Sequence, residues 1–130
     1  MFDKYMIVGE EFKNVKKGES VVGYQLGVRL PYYRGVVLSL VGEMVLSVDH
    51  EKVPVKDMSV TLHGKTFPLG ELENEPVEKW EFGEVGIVTV AKSGGLRPGD
   101  YQLELQQHMK ISYVPGGFWG YDKKVLHLAA

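Results

Sequence analysis

The feature that most constrains the fold is the alternation of apolar and polar residues between positions 101 and 113. One set of alternate positions is apolar: Tyr101, Leu103, Leu105, Met109, Ile111 and Tyr113. The intervening set is polar, and only Gln107 breaks the pattern: Gln102, Glu104, Gln106, His108, Lys110 and Ser112. A helix would spread these polar residues around its whole surface, whereas a strand sends them to one face. The segment is therefore predicted to be one long, half-buried strand.

The sequence pattern of the rest of the chain predicts further strands joined by turns, and it shows no helical periodicity. Strands are predicted at residues 5–8, 21–30, 36–48 (with a break at Gly42), 59–62, 65–69, 86–91 and 125–128. Residues 10–20 are charged and are predicted to contain a turn at 16–19. Residues 49–52 are predicted to form a hairpin tip, and residues 71–78 a solvated acidic loop. His63-Gly64 is predicted as a two-residue turn. We expect an all-β fold, a single antiparallel β-sandwich with little or no helix, in one domain over residues 1–130.

Aromatic residues add two expectations about packing. Residues 96–101 have the pattern Leu-x-Pro-Gly-x-Tyr, which resembles the corner of immunoglobulin-like sandwiches. In that corner a tyrosine hydroxyl bonds back to the upstream backbone, so Tyr101 is expected to do the same. Trp80 and Phe82 are two positions apart, so in a strand they would share one face, and both are expected to be buried.

Composition excludes several classes of function. The chain has no cysteine, which excludes disulfides and thiol chemistry. It has 17 acidic and 15 basic residues and no basic stripe, so nucleic acid is not an expected partner. The first residues lack the layout of a signal peptide, and no apolar run approaches about 18 residues. We therefore expect a cytoplasmic location and no membrane association.

No set of residues has the spacing of a known catalytic or metal site. The four histidines fall in four separate elements without ligand-like spacing: His50, His63, His108 and His127. No serine has a Gly-x-Ser-x-Gly context. Glu81 and Glu84 lie beside Trp80, but a structural turn explains them better than acid–base chemistry. We accordingly assign no catalytic residue, no metal site and no cofactor to this chain.

Two segments instead carry the groups that commonly anchor binding surfaces, aromatic rings and arginine. One is the turn between Pro31 and Gly35, and the other is predicted as a loop at residues 118–121. If both lie at the same end of the sandwich, they could form one exposed patch for a protein or ligand. The candidate contact residues are Tyr32, Tyr33, Arg34, Phe118, Trp119 and Tyr121. The alternative is that one tyrosine folds into the core and that Arg34 lies along it with its charged group in water.

Several motifs, in order along nearly the whole chain, resemble the small β subunit of bacterial C-glycoside deglycosidases. They are the opening MFDKYMIV, RLPYYRG at 29–35, WEFG at 80–83, GGLxPG at 94–99, Ile111-Ser112-Tyr113 and the ending Leu-x-Leu-Ala. None of these motifs is catalytic. The resemblance implies a β-sandwich that assembles with a larger α subunit, a TIM-barrel protein that holds a divalent metal, typically manganese, and the acid–base residues.

The resemblance also implies the reaction of the complex. Its substrates are 3-oxo-C-glycosides, such as oxidised flavonoid C-glucosides, and the bond between sugar C1 and the aglycone carbon is cleaved by base-assisted elimination. On this hypothesis the candidate contact residues bind the α subunit and help to wall the entrance of its active site. Two other classes stay open: a free-standing carbohydrate-binding or adhesion module, and a small independent enzyme such as a cupin-like isomerase, which would need clustered metal ligands.

Overall fold

The computed structural model describes residues 3–32, 34–110 and 115–129. Within these ranges the strands are β1 (Ile7–Lys17), β2 (Ser20–Val28), β3 (Val36–Val37), β4 (Val41–Val48), β5 (Glu51–Lys52), β6 (Met58–Leu62), β7 (Lys65–Pro68), β8 (Lys79–Trp80), β9 (Gly86–Ala91), β10 (Gly99–Met109) and β11 (Phe118–Leu128). The helical segments of these ranges are short 3₁₀ turns at Asp3–Tyr5, Leu38–Leu40, Val55–Asp57 and Leu69–Asn74. None of these turns has the length and apolar character needed to cross a membrane. The predicted all-β class with little helix is confirmed.

Two antiparallel sheets supply one hydrophobic core. The larger sheet has the order β1-β2-β9-β6-β7, the smaller β11-β10-β4-β5, and β3 pairs with β8 as a separate ribbon. Alternate residues of β2, such as Leu26 and Val28, are fully buried, and so are Leu103 and Leu105 of β10. The alternating pattern is the reason, because each strand sends its apolar residues to one face.

Strand β10 is the predicted long strand and pairs with β11 along its whole length, from Gly99 opposite Leu128 to Met109 opposite Phe118. The predicted alternation is confirmed as far as Met109; Ile111, Ser112 and Tyr113 lie outside the described residues. Gln107 occupies an inward position and is fully buried. Its amide nitrogen donates to the carbonyls of Gly42 and His108, while its amide oxygen has no hydrogen-bond partner among the described residues.

The two predicted turn motifs are confirmed. The Tyr101 hydroxyl donates to the Arg97 carbonyl oxygen at 2.6 Å, which is the expected corner bond. His63 and Gly64 join β6 to β7 with φ angles of 53° and 77°. Two successive positive φ angles are typical of the hairpin turn whose twist matches that of the strands.

Three predicted boundaries are wrong. Residues 10–17 continue the first strand, and the turn is confined to Gly18-Glu19 before β2 begins. Residues 36–48 are interrupted by the 3₁₀ turn Leu38–Leu40 rather than at Gly42. The acidic segment begins with the 3₁₀ turn Leu69–Asn74, which buries Leu72. In the two charged segments, strand pairing or burial of an apolar side chain outweighs the local charge pattern, and at residues 36–48 the turn buries Leu38 while Gly42 stays within β4.

The predicted loop at residues 118–121 is also wrong, because these residues begin β11. Gly116 and Gly117, with φ angles of 74° and 71°, reverse the chain directly before Phe118. The backbone can therefore pair with the end of β10 at once.

Candidate functional site

The two aromatic segments lie at the same end of the sandwich. A Cβ atom at Gly120 would lie 2.5 Å from two ring carbons of Pro31, so only glycine allows this approach. The centroids of the Tyr32 and Phe118 rings are 5.8 Å apart. These contacts join the turn after β2 to the beginning of β11. Tyr33 lies outside the residues that the structure describes.

One pair of rings points inward. Tyr32 is only 8% exposed and belongs to the hydrophobic core, and Phe118 is half-buried against the same core. Arg34 is exposed. The interpretation in which one tyrosine folds into the core therefore describes Tyr32. The expectation that these two rings belong to one exposed patch is wrong, because both pack against the end of the hydrophobic core.

A second pair of rings lies on the outer face of the smaller sheet. Strand alternation sends Trp119 and Tyr121 to this face, where they are 52% and 44% exposed. Trp119 stacks on His108 of β10 with the ring centroids 4.9 Å apart. The Tyr121 hydroxyl donates to a Glu104 carboxylate oxygen at 3.3 Å. Desolvation, and then the nearby Glu104 charge, raise the pKa of Tyr121.

The pair Trp80 and Phe82 was expected to be buried on one face, and for Phe82 this is wrong. Trp80 is fully buried, whereas Phe82 is 57% exposed. Strand β8 ends at Trp80, and a turn that contains Gly83 at φ 75° breaks the alternation. The Trp80 indole donates to the Glu84 carbonyl at 2.9 Å and fixes this turn to the core.

The acids of this turn have structural roles. A Glu84 carboxylate oxygen accepts a hydrogen bond from the Glu81 backbone N–H at 2.9 Å. Its other oxygen lies 2.6 Å from His63 Nε2. These contacts agree with the interpretation of Glu81 and Glu84 as parts of a structural turn.

A cavity of about 350 Å³, which the sequence did not lead us to expect, lies at this same end. It is lined by Tyr5, Arg29, Leu30, Phe82 and Gly83. Two of its walls are half-exposed rings, with Tyr5 50% and Phe82 57% exposed. RLPYYRG and WEFG were singled out as motifs, but nothing local in either shows that Arg29 and Phe82 meet.

The histidines each have a separate environment. His50 lies 3.3 Å from Glu104, His127 lies 2.8 Å from Asp100, and His108 bonds the Gly116 carbonyl. Across residues 3–32, 34–110 and 115–129, no three side chains of histidine, aspartate or glutamate lie close enough to hold a metal ion.

A second crevice, of about 340 Å³, opens between the sheets at the opposite end. Tyr24 and Tyr101 line it together with charged groups that include Lys52, Asp57 and Lys92. Burial raises the pKa of Tyr24 to about 12, so its hydroxyl stays protonated at neutral pH. None of the candidate contact residues that the structure describes lines this crevice.

Comparison with known proteins identifies the family. The family profile described as C-glycoside deglycosidase beta subunit matches residues 2–113. A C-glycoside deglycosidase beta subunit from Eubacterium cellulosolvens is 31% identical over 114 residues, which cover 87% of this chain and 78% of the relative. Another from Arthrobacter globiformis is 34% identical over 59 residues, covering 45% of this chain and 42% of the relative. The matched residues contain β1 to β10 and the described residues that line the Tyr5–Phe82 cavity. This chain therefore belongs to the C-glycoside deglycosidase beta subunit family.

Proposed function

We propose that this chain is the smaller, non-catalytic subunit of a complex that cleaves 3-oxo-C-glycosides. The observation that carries the proposal is the family match over residues 2–113. The larger partner is an α subunit with a TIM-barrel fold that holds a divalent metal, typically manganese. The described residues of this chain do not make a set of metal ligands, so the proposal assigns the metal to the α subunit.

The reaction is an elimination that starts from a glycoside already oxidised at C3 by a separate oxidoreductase. The C3 ketone acidifies the proton on C2, and a base of the α subunit removes it. The electron pair left on C2 forms the C1–C2 double bond while the bond from C1 to the aglycone carbon breaks. That aglycone carbon takes up a proton, so the products are a free aglycone, such as a flavonoid, and an unsaturated keto-sugar.

The contribution of this chain is to contact the partner and complete the wall of its active site. We assign this role to the end of the sandwich that brings together the turn after β2 and the start of β11. Arg34 and Trp119 are the exposed anchors of this surface, while Tyr32 and Phe118 support it from the core. Rings and arginine are the side chains most often found at the energetic centre of an interface.

Co-expression with the α subunit tests the proposal. The two chains should co-purify, and the complex should cleave a 3-oxo-C-glycoside of a flavonoid, while this chain alone should not. Arg34→Ala should weaken the complex, and Arg97→Ala, an exposed arginine at the opposite end, is the matched control. Failure to co-purify, or full turnover by the α subunit alone, would refute the proposal.

One observation favours a second function, binding of carbohydrate by the isolated chain. Trp119 and Tyr121 are exposed on a sheet face whose β10 positions, in register, are His108 and Gln106. Ring faces beside amide groups are suited to contact a sugar. Binding of plain glycans by this chain alone, lost in Trp119→Ala, would support this function instead of the first.

A further inference from the structure

The cavity between Tyr5 and Phe82 has the properties of a pocket for one anchoring side chain. Its volume of about 350 Å³ is at the lower end of the range of about 300–1,000 Å³ found for binding pockets. Tyr5, Leu30 and Phe82 give it a largely apolar lining. Aromatic rings and arginine, the groups that border this pocket, are enriched at protein interfaces and among their hot spots.

Hydrogen bonds hold the walls of this pocket in place. The Arg29 side chain donates from Nε to the Gly83 carbonyl at 3.2 Å and from Nη1 to the Tyr5 carbonyl at 3.5 Å. The Arg29 backbone N–H also donates to the Met6 carbonyl at 2.8 Å. One residue thus joins the segment before β1 to the turn after β8. A pocket formed in advance costs little ordering entropy when it is filled.

Arg29 also brings a positive charge that no carboxylate of the described residues neutralises. Its side-chain bonds are to carbonyl oxygens, and no carboxylate within the described ranges forms an ion pair with it. Guanidinium groups at interfaces commonly pair with carboxylates in bidentate geometry. The occupant that fits is therefore an apolar side chain accompanied by an acidic one.

The position of the pocket indicates which protein supplies these groups. Leu30 lines the pocket and begins the turn that the proposed function assigns to the partner surface. All five lining residues lie within the family match, which ends at residue 113, whereas Trp119 and Tyr121 lie beyond it. The pocket thus belongs to the part of the chain that has its counterpart in other beta subunits.

We propose that the Tyr5–Phe82 pocket receives an apolar side chain of the α subunit, with an α-subunit carboxylate paired to Arg29. This inference rests on the proposed function and names the contact that the complex uses. The apolar side chain supplies burial, and the ion pair supplies orientation and a dependence on salt.

The test is the affinity of purified variants for the purified α subunit. Phe82→Ala should weaken binding about tenfold or more, as expected for an anchor contact. Arg29→Gln should weaken binding and reduce its dependence on salt, and Arg29→Lys should retain part of both. The matched controls are Val22→Ser, an exposed apolar residue at the other end of β2, and Arg97→Gln. Both controls should bind within about twofold of the wild type.

The outcomes separate this inference from the proposed function. If the wild type binds the α subunit and Phe82→Ala and Arg29→Gln bind it equally well, the pocket is not the contact, and the proposed function still stands. No binding by the wild type overturns both. Self-association of the isolated chain that Phe82→Ala abolishes would make a second copy the occupant and overturn the inference. Thermal unfolding of each variant, compared with Val22→Ser, identifies any loss of binding that comes from misfolding.

Discussion

Asp122 provides the sharpest test of how the two sheets are joined. It lies on β11 and is only 6% exposed. One carboxylate oxygen accepts the backbone N–H of Ile7 at 2.9 Å, and the other accepts the N–H of Lys123 at 2.9 Å. Lys124 Nζ lies 3.3 Å from the first oxygen. The side chain thus connects the first strand of the larger sheet to the edge strand of the smaller one.

Asp122→Ala should therefore cost more than an ordinary polar substitution on a strand. It leaves the buried N–H of Ile7 without an acceptor, which costs about 1–3 kcal/mol. It also removes a hydrogen bond to a charged group, and such a bond contributes a similar amount. Since the Ile7 N–H is counted in both terms, we expect a net loss of about 3 kcal/mol in the free energy of unfolding. For a chain of 130 residues this corresponds to a fall of about 10 °C in Tm.

The assay is urea unfolding and thermal unfolding of purified protein, with hydrogen exchange at the Ile7 amide as a local readout. Asp122→Asn keeps an acceptor oxygen and should lose about half as much. Asp100→Ala is the matched control, because Asp100 lies on the paired strand β10 and its contact with His127 is exposed. That control should change stability by about 0.5 kcal/mol or less. A loss below about 1 kcal/mol for Asp122→Ala, or an equal loss for Asp100→Ala, would refute the reasoning.

Three further predictions concern aromatic residues. Tyr101→Phe removes the bond to the Arg97 carbonyl and should lower the free energy of unfolding, measured in urea, by about 1 kcal/mol, without changing affinity for the proposed α subunit. Because burial raises the pKa of Tyr24 from 10.0 to about 12, the unfolded chain ionises first as pH rises. Stability should therefore fall between pH 10 and 12 by about 2–3 kcal/mol, and urea unfolding of Tyr24→Phe should show a smaller fall. Iodide should quench the fluorescence of half-exposed Trp119 but not that of buried Trp80, so Trp119→Phe should leave an emission that iodide hardly affects.

The strands that the sequence predicts well are those whose burial is one-sided. Leu103 and Leu105 alternate with polar residues, and the structure buries both. Tyr101 was predicted equally well, because the residues that form its corner are adjacent in the chain. Gln107 interrupts the apolar pattern but not the strand, since its amide nitrogen bonds two backbone carbonyls inside the sandwich. The local sequence pattern is sufficient to predict the position of a side chain where its contacts are with residues of the same pattern.

The start of β11 could not be predicted in this way. Phe118 and Trp119 follow two glycines and resemble a loop, and they form a strand because β10 pairs with them. That pairing then decides which ring faces the core and which faces outward. The sequence gives the types of the binding groups, but their directions depend on the register with β10.

The pocket between Tyr5 and Phe82 was missed for a related reason. Its walls come from the segment before β1 and the turn after β8, which are distant in the sequence. Arg29 brings them together through their carbonyl oxygens, and backbone acceptors leave no signal in side-chain spacing.

The borders of the two sheets have a consequence for how this subunit associates. Strand β5 has only two residues, β7 ends at Pro68, and β1 is interrupted by two register shifts. The remaining border, β11, carries Asp122, Lys123 and Lys124 in succession at its centre. Short, proline-ended, irregular or charged borders are poor templates for an incoming strand. These borders should therefore resist edge-to-edge aggregation, and a partner should bind through side chains rather than by extending a sheet.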